Sequence, residues 1–140
     1  MQAICSFGLF IGRLCLAAIF IAAGVGKFMD YDATAEYMVA HGFTMIPVFL
    51  FGAALIELLG GLLLVLGYKT HLGAAILMLF LIPTTYIFHG FWNEGPEMQQ
   101  LQMIMFLKNL AIFGGLFYVL VAGAGGLSID RCGCCTRSGK

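Results

Sequence analysis

The sequence predicts an all-α fold: a bundle of four transmembrane helices forming a single integral membrane domain over residues 1–140. Two observations carry this prediction. First, 61% of the residues are hydrophobic and only 10% are charged, whereas an ordinary soluble domain carries about 25% charged residues. Second, the apolar residues form four continuous runs, 7–28, 46–67, 72–91 and 103–122. Each run is close to the ~20 residues that a helix needs to cross a bilayer. A transmembrane β-barrel is excluded, because its strands alternate in polarity and are about half as long.

The first run, 7–28, ends in small residues, as the cleavage region of a secretory signal peptide does. A signal peptide begins with basic residues, which precede a short apolar centre of about 7–15 residues. In this chain no Lys or Arg precedes Arg13, and Arg13 itself lies inside the run. We therefore expect the first run to be a retained transmembrane helix.

The connection between the first two runs should contain a short helix. Asp32 is a plausible helix cap before AlaThrAlaGlu, and the segment ends at Gly42. In the third run, Pro83 removes a backbone hydrogen bond and should kink the helix. The hydroxyls of Thr84 and Thr85 can satisfy the carbonyls that the proline frees.

Loop charges predict the orientation in the membrane. The segments 29–45 and 92–102 contain Asp and Glu but no Lys or Arg. The basic residues outside the runs are Lys69, Arg131, Arg137 and Lys140. Because basic loops remain cytoplasmic, we expect both termini inside and the short helix outside. Lys27, near the outer end of the first helix, is an exception whose long stem can reach the interface.

Glu57 interrupts the apolar run AlaLeuIleGluLeuLeuGlyGly, where an ionisable group is costly and is usually functional. Residues three and four apart share a helix face, so Glu57 shares its face with Ala54, Gly60 and Gly61. Small residues of this kind line the surfaces by which membrane helices pack. We therefore predict that Glu57 points into the bundle.

The same reasoning predicts that each of the four helices directs an ionisable side chain toward a common interior. Lys108 shares a face with Ala111 and Gly115, Arg13 shares one with Ala17, and His89 ends the third helix.

Glu57 should lie near mid-membrane, so an Arg13–Glu57 pair and a Lys108–Glu57 pair are both possible, and either would offset the cost of burial. We expect any pocket in the outer half, which is richer in polar and aromatic side chains: Tyr86, Trp92, Asn93, Gln102 and Asn109.

Several strings in the chain resemble the DoxX family. They are GlyArgLeu at 12–14, GlyLysPhe at 26–28, Glu57 with GlyGly at 60–61, PheHisGlyPheTrp at 88–92 and PheLeuLysAsnLeuAla at 106–111. The resemblance covers nearly the whole chain and implies a small four-helix protein of the bacterial inner (cytoplasmic) membrane. The family is named after a subunit linked to quinol oxidation and thiosulfate:quinone oxidoreduction.

The resemblance also implies a set of polar motif residues, which match Arg13, Lys27, Glu57, His89, Trp92, Lys108 and Asn109. At one position the chain departs from the family, because Met105 stands where relatives tend to have a histidine. The tail departs as well, at CysGlyCysCys.

The sequence predicts that the protein holds no redox cofactor by itself. A haem held by two histidines needs both rings on one iron. His71 and His89 are 18 residues apart on one helix, or about 27 Å at ~1.5 Å per residue, and His41 lies in an outer loop. No dinucleotide-binding glycine motif is present. We therefore expect no haem, flavin or iron–sulfur site.

A quinone suits the expected outer pocket, since its carbonyls accept hydrogen bonds and its reduction needs protons. We predict a quinone-binding or accessory subunit of a membrane oxidoreductase system. Glu57, His89 and Lys108 are the candidate catalytic residues, and the candidate ligand-binding residues are Arg13, Lys27, Tyr86, Trp92 and Asn109. The expected partners are the lipid bilayer, a redox protein and a second copy bound through glycine faces; we expect no nucleic acid.

Other interpretations remain open. The charged residues would also suit a small-solute or proton transporter, or a scaffold in which they only fix helix register. His89 and Trp92 can be ordinary interfacial residues. The soft-metal candidates are Met98, Met103 and Met105 and, separately, Cys132, Cys134 and Cys135, although the cysteines lack a second half-site.

Overall fold

The computed structural model describes residues 2–130, with side chains from Ile4 onward. Those residues form helices and no strands; the elements are α1 (Gln2–Met29), α2 (Tyr31–Ala40), α3 (Ile46–Leu66), α4 (Thr70–Phe88), a 3-10 turn (Phe91–Asn93) and α5 (Pro96–Ala122). α1, α3, α4 with the 3-10 turn, and α5 are long and apolar enough to span a membrane. The all-α fold with four potential membrane spans is confirmed. The short helix between the first two spans is α2.

Proline and glycine mark the ends of the spans. Pro47 and Pro96 lie in the first turns of α3 and α5, where the missing N–H has no helical partner in any case. α3 ends at Gly67, whose φ of 62° is left-handed and whose N–H bonds to the carbonyl of Leu64. A left-handed glycine at this position is a common way to end a helix.

Glycines set the packing between neighbouring helices. A Cβ atom on Gly24 of α1 would lie 2.8 Å from Leu58 Cγ of α3, and one on Gly60 of α3 would lie 2.6 Å from Leu77 Cγ of α4. These distances are shorter than any ordinary contact, so the helices approach as closely as they do only because the side chain is absent. Close backbone approach of this kind drives helix association in membranes.

The two chain termini lie at the same end of the bundle. Gly126, after α5, lies against Ser6 of α1, and Gly125 lies against Leu9. We call this the termini end, and we call the opposite end, which carries α2 and the 3-10 turn, the α2 end. Which end faces the cytoplasm stays a prediction from loop charge.

α4 continues as a helix through Pro83. The Thr84 hydroxyl donates to the carbonyl of Phe80 at 2.8 Å, and the Thr85 hydroxyl accepts a hydrogen bond from Asn109 Nδ2 at 3.1 Å. Pro83 frees the carbonyl of Leu79, four residues earlier. Thr84 bonds instead to the carbonyl of Phe80, and Thr85 connects α4 to α5.

The segment after α5 closes the termini end. Ile129 N–H donates to the carbonyl of Leu66, and Asp130 N–H donates to that of Gly67 at 2.8 Å. In return, the two carboxylate oxygens of Asp130 accept the backbone N–H groups of Lys69 and Thr70, at 2.8 Å each. Asp130 therefore caps the start of α4. Cys132, Cys134 and Cys135 lie outside the described residues.

Candidate functional site

The central polar contact of the bundle is an ion pair between α1 and α3. Lys27 Nζ lies 2.6 Å from Glu57 Oε2 and 2.8 Å from Oε1. Glu57 is only 5% exposed, so the prediction that it points into the bundle agrees with the structure. A cation on both carboxylate oxygens offsets part of the cost of burying this group.

The partner of Glu57 is neither of the two that the sequence suggested. We considered Arg13 and Lys108; the structure pairs Glu57 with Lys27. The register of α1 against α3 explains the difference. Gly24 packs on Ala54 and Leu58. Lys27 is one turn further along α1, and this packing brings it within reach of Glu57. Arg13 is 14 residues before Lys27, or about 21 Å away along the helix.

A cavity of about 570 Å³ adjoins this pair at the α2 end. Its walls come from α1, α2, α3 and α4, and it includes few polar side chains: Lys27, Asp30, Thr34, Tyr37, Thr84 and His89. The remainder of the lining is apolar and includes four phenylalanines: Phe43, Phe49, Phe80 and Phe88. Glu57 is not among the described residues that line the cavity, but it holds the ammonium of Lys27, which does line it. The volume is within the range of about 300–1,000 Å³ that small-molecule sites occupy.

Aromatic side chains cover the cavity between α2 and the end of α4. The ring of Phe88 is stacked on those of Tyr37 and Phe43, with centroids 5.5 and 5.6 Å apart, and His41 lies 5.0 Å from the same ring. The Tyr37 hydroxyl also donates to the carbonyl of Phe88 at 3.1 Å. α2 is therefore fastened to α4 over the cavity.

His89 joins the cavity to α5. It lines the cavity, and its Nδ1 lies 2.9 Å from Oε1 of Gln102. Gln102 is 8% exposed. Of the three candidate catalytic residues, the structure therefore places His89 in the cavity wall and pairs Glu57 with Lys27, which lines the same cavity.

Three of the candidate ligand-binding residues lie on the other side of α4. Tyr86 and Trp92 belong to an aromatic cluster with Phe106, with centroids 5.3 Å apart for Tyr86–Trp92 and 5.9 Å apart for Trp92–Phe106. Asn109 and Tyr86 line a separate groove of about 270 Å³ between α4 and α5. None of the three is among the described residues that line the larger cavity, so they do not share it with Lys27 and His89.

Arg13 lies at the termini end, far from the cavity. It is 1% exposed, its Nη2 donates to the carbonyl of Leu127 at 2.7 Å, and its Cζ lies 5.8 Å from the ring centre of Phe10. In the part of the chain that the structure describes, its Nε and Nη1 have no hydrogen-bond partner. Arg13 joins α1 to the segment after α5 and does not reach Glu57.

The prediction that Lys108 faces the interior is wrong. Lys108 is exposed on the outer surface of α5, and its Nζ contacts Met105 Sδ at 3.2 Å. The buried stripe of α5 passes instead through Gln102, Asn109 and Leu116, which recur every seven residues. Lys108 precedes this stripe by one residue, and one residue turns a helix by about 100°.

Sequence reasoning missed Asp30, Thr34 and Tyr37 as lining residues. They are on or next to α2, which the sequence identified only as a connection. One signal was available: an acidic, aromatic outer segment beside an apolar pocket is a natural cover, and binding residues are often found on connecting segments.

Comparison with known proteins places the chain in a family. The family model described as DoxX matches residues 8–90. This chain belongs to the DoxX family. The matched region contains most of α1 and all of α2, α3 and α4, and with them the Lys27–Glu57 pair and His89.

Curated relatives support the same assignment and give the location. The chain is 35% identical over 126 residues to inner membrane protein YqjF of Escherichia coli, covering 89% of this chain and 90% of the relative. It is 32% identical over 123 residues to inner membrane protein YphA of the same organism, covering 88% of each. This DoxX-family chain is a multi-pass protein of the bacterial inner membrane.

A second family model, described as the SURF4 family, matches residues 54–133. The ER-derived vesicles protein ERV29 of Saccharomyces cerevisiae is 27% identical over 123 residues, which cover 88% of this chain and 33% of the relative. No solved structure matches the chain.

Proposed function

We propose that this DoxX-family protein is a quinone-binding accessory subunit of a membrane oxidoreductase system, and that the cavity at the α2 end is the quinone site. The observation that carries the proposal is the composition of that cavity. Ten of its sixteen lining residues are apolar, four of them phenylalanines, and its polar groups include a cation, a carboxylate and an imidazole. A quinone has the matching shape of a polar ring on an apolar tail.

The polar groups fit the headgroup of a quinone. The Lys27 ammonium has three donors, and Glu57 holds it by both carboxylate oxygens. The remaining donor capacity can serve a quinone oxygen through a charge-assisted hydrogen bond. Glu57 fixes the direction of the ammonium, so the donor is oriented before the ligand binds.

His89 and Thr34 offer further polar contacts in the same cavity. A bound quinone would supply two-electron chemistry coupled to protons, while the chain would supply position and a proton-carrying group. His89 is the residue suited to move that proton, because an imidazole can accept a proton at one nitrogen and donate one from the other. A partner protein would carry the metal or flavin centre that exchanges the electrons.

The single tryptophan of the chain, which lies outside the cavity wall, provides a fluorescent reporter. Trp92 packs on Gly90, the residue after His89. A Cβ atom added to Gly90 would lie 3.2 Å from Cζ2 of Trp92. Decylubiquinone should quench the fluorescence of Trp92 in nanodiscs, with saturation. Ala53→Phe, which fills the cavity wall, should weaken binding by about tenfold or more.

Lys108→Met is the matched control, because Lys108 is an exposed lysine on a neighbouring helix at a distance from the cavity wall. It should bind decylubiquinone as the wild type does. The proposal fails if quenching does not saturate in the wild type, or if Ala53→Phe and Lys108→Met bind equally well.

A transporter of protons or small solutes is the second candidate function. The observation that favours it is the burial of the Lys27–Glu57 pair inside the membrane-spanning part of the bundle, since ionisable groups at such depths commonly mark ion and proton pathways. Proton uptake into proteoliposomes, followed with an entrapped pH dye and abolished by Glu57→Gln, would favour this function. No uptake in the wild type would exclude proton transport.

A further inference from the structure

The side chain of Gln102 contacts one of the two nitrogens of the His89 ring. The two side chains meet through His89 Nδ1 and Gln102 Oε1, 2.9 Å apart. An amide carbonyl oxygen can only accept a hydrogen bond, so Nδ1 must be the donor. A neutral imidazole has one N–H, and its other nitrogen, Nε2, is then left with a free lone pair.

The surroundings hold both partners in place. The backbone N–H of His89 donates to the carbonyl of Thr85, and its carbonyl accepts from Phe91 N–H at 2.9 Å. Gln102 is one helical turn before Phe106, whose ring packs against Phe91 at 5.6 Å. The packing between the end of α4 and the start of α5 therefore holds the His89–Gln102 contact in place.

The direction of the contact matters for the cavity. His89 lines the cavity, and Gln102 is not among the described residues that do so. The Nδ1 side of the ring is thus occupied by Gln102, whereas Nε2 makes no hydrogen bond to the described residues and is the nitrogen left for an occupant. The cavity offers a hydrogen-bond acceptor at His89 and a donor at Lys27.

Building on the proposed function, we propose that Gln102 is a positioning residue that makes the site selective for the reduced ligand, a hydroquinone. A hydroquinone has phenolic O–H groups, one of which can donate to His89 Nε2. The oxygens of a quinone only accept, so the oxidised ring leaves the Nε2 lone pair without a partner. His89 is only half-buried, so this penalty arises when the bound ligand covers the ring, and an unpaired polar group then weakens binding by about tenfold or more.

Histidine NMR tests the tautomer without any ligand. The protein is labelled with ¹⁵N and ¹³C histidine in nanodiscs at alkaline pH, and His89 is assigned by its loss in His89→Asn. We expect the Nδ1–H tautomer for His89 in the wild type and in Gln102→Glu, which retains an acceptor. Gln102→Leu removes the acceptor, and His89 should then shift to the Nε2–H form.

The other two histidines are internal controls for folding. His41 Nδ1 lies 2.8 Å from the carbonyl of Tyr37, and His71 Nδ1 lies 2.7 Å from that of Leu120. Neither contact involves Gln102, so both signals should be unchanged in Gln102→Leu. An Nε2–H tautomer for His89 in the wild type, or no change in a Gln102→Leu protein with unchanged His41 and His71 signals, would overturn the inference.

Calorimetry with decylubiquinol and decylubiquinone tests the selectivity. We expect the wild type to bind the reduced form at least about tenfold more tightly, and Gln102→Leu to lose that preference. Equal affinity for both forms in the wild type would overturn the selectivity and leave the quinone site standing. Binding of neither form would overturn the quinone site as well, while the tautomer result would be unaffected.

Discussion

The Lys27 ammonium of α1 contacts both carboxylate oxygens of Glu57 in α3, at 2.6 and 2.8 Å. Lys27 also lines the cavity at the α2 end. One residue therefore connects the packing of two membrane helices to the candidate ligand site. A change at this pair should affect both the stability of the bundle and the cavity.

Lys27→Met should strongly destabilise the protein, because it leaves the Glu57 carboxylate buried without a cation. Removing one partner of a buried ion pair costs about 3–5 kcal/mol. The free energy of unfolding can be measured by titrating mixed micelles with a denaturing detergent. In the double variant Lys27→Met/Glu57→Met, no charge is left unpaired, and most of the lost stability should return.

Lys108→Met is the control for this experiment as well. Lys108 is exposed and contacts Met105 within its own helix, so its loss should change the free energy of unfolding by about 0.5 kcal/mol or less. If Lys27→Met is no more harmful than Lys108→Met, the buried pair does not stabilise the bundle as described.

Gly60→Ala should destabilise the contact between α3 and α4. Its new Cβ would lie 2.6 Å from Cγ of Leu77, which is fully buried and has no free space to move into. Overpacking of this kind costs about 1–3 kcal/mol. Gly12→Ala is the matched control, because nothing lies within 4 Å of its Cβ position. Equal unfolding free energies for the two variants would contradict the close approach of the helices.

Asp130→Ala should destabilise the protein at neutral pH and much less in acid. Partial burial acts to raise the pKa of Asp130, but hydrogen bonds from the backbone N–H groups of Thr70 and Lys69 outweigh it, and the pKa is below its ordinary value of 3.8. A carboxyl group with a lowered pKa in the folded state contributes stability above its unfolded pKa, and that contribution disappears as the pH falls through the folded pKa.

The test compares the unfolding free energies of the wild type and Asp130→Ala across that pH range. Loss of a helix cap typically costs about 0.5–2 kcal/mol, and we expect a difference of that size at pH near 7. The difference should narrow steadily toward pH near 2. A difference that is the same at both pH values would mean that the Asp130 carboxylate does not cap α4 as an anion.

The fold follows from the sequence because run length and composition alone determine which segments can cross a bilayer. The burial of Glu57 was predictable as well, since its face carries Ala54, Gly60 and Gly61. The pairing was not predictable. It depends on the register of α1 against α3, which is set by contacts of Gly24 with Leu58 that no single helix reveals.

Lys108 shows a second limit of the sequence. Its face contains small residues, as the face of Glu57 does, yet the buried stripe of α5 begins one residue later, at Asn109. Small residues occur on both sides of this helix, so they cannot identify the inward side. The lining residues on α2 could not be predicted for another reason. The packing position of a short connecting helix depends on tertiary contacts, such as the stacking of Tyr37 on Phe88.

The most direct test of the quinone site is native mass spectrometry of the protein released from lipid nanodiscs made from its own membranes. We expect the wild type and Lys108→Met to retain one quinone or quinol each, and Ala53→Phe, with its cavity filled, to retain none. A wild type without bound quinone, or an Ala53→Phe protein that retains as much as the wild type, would contradict the assignment of the cavity at the α2 end.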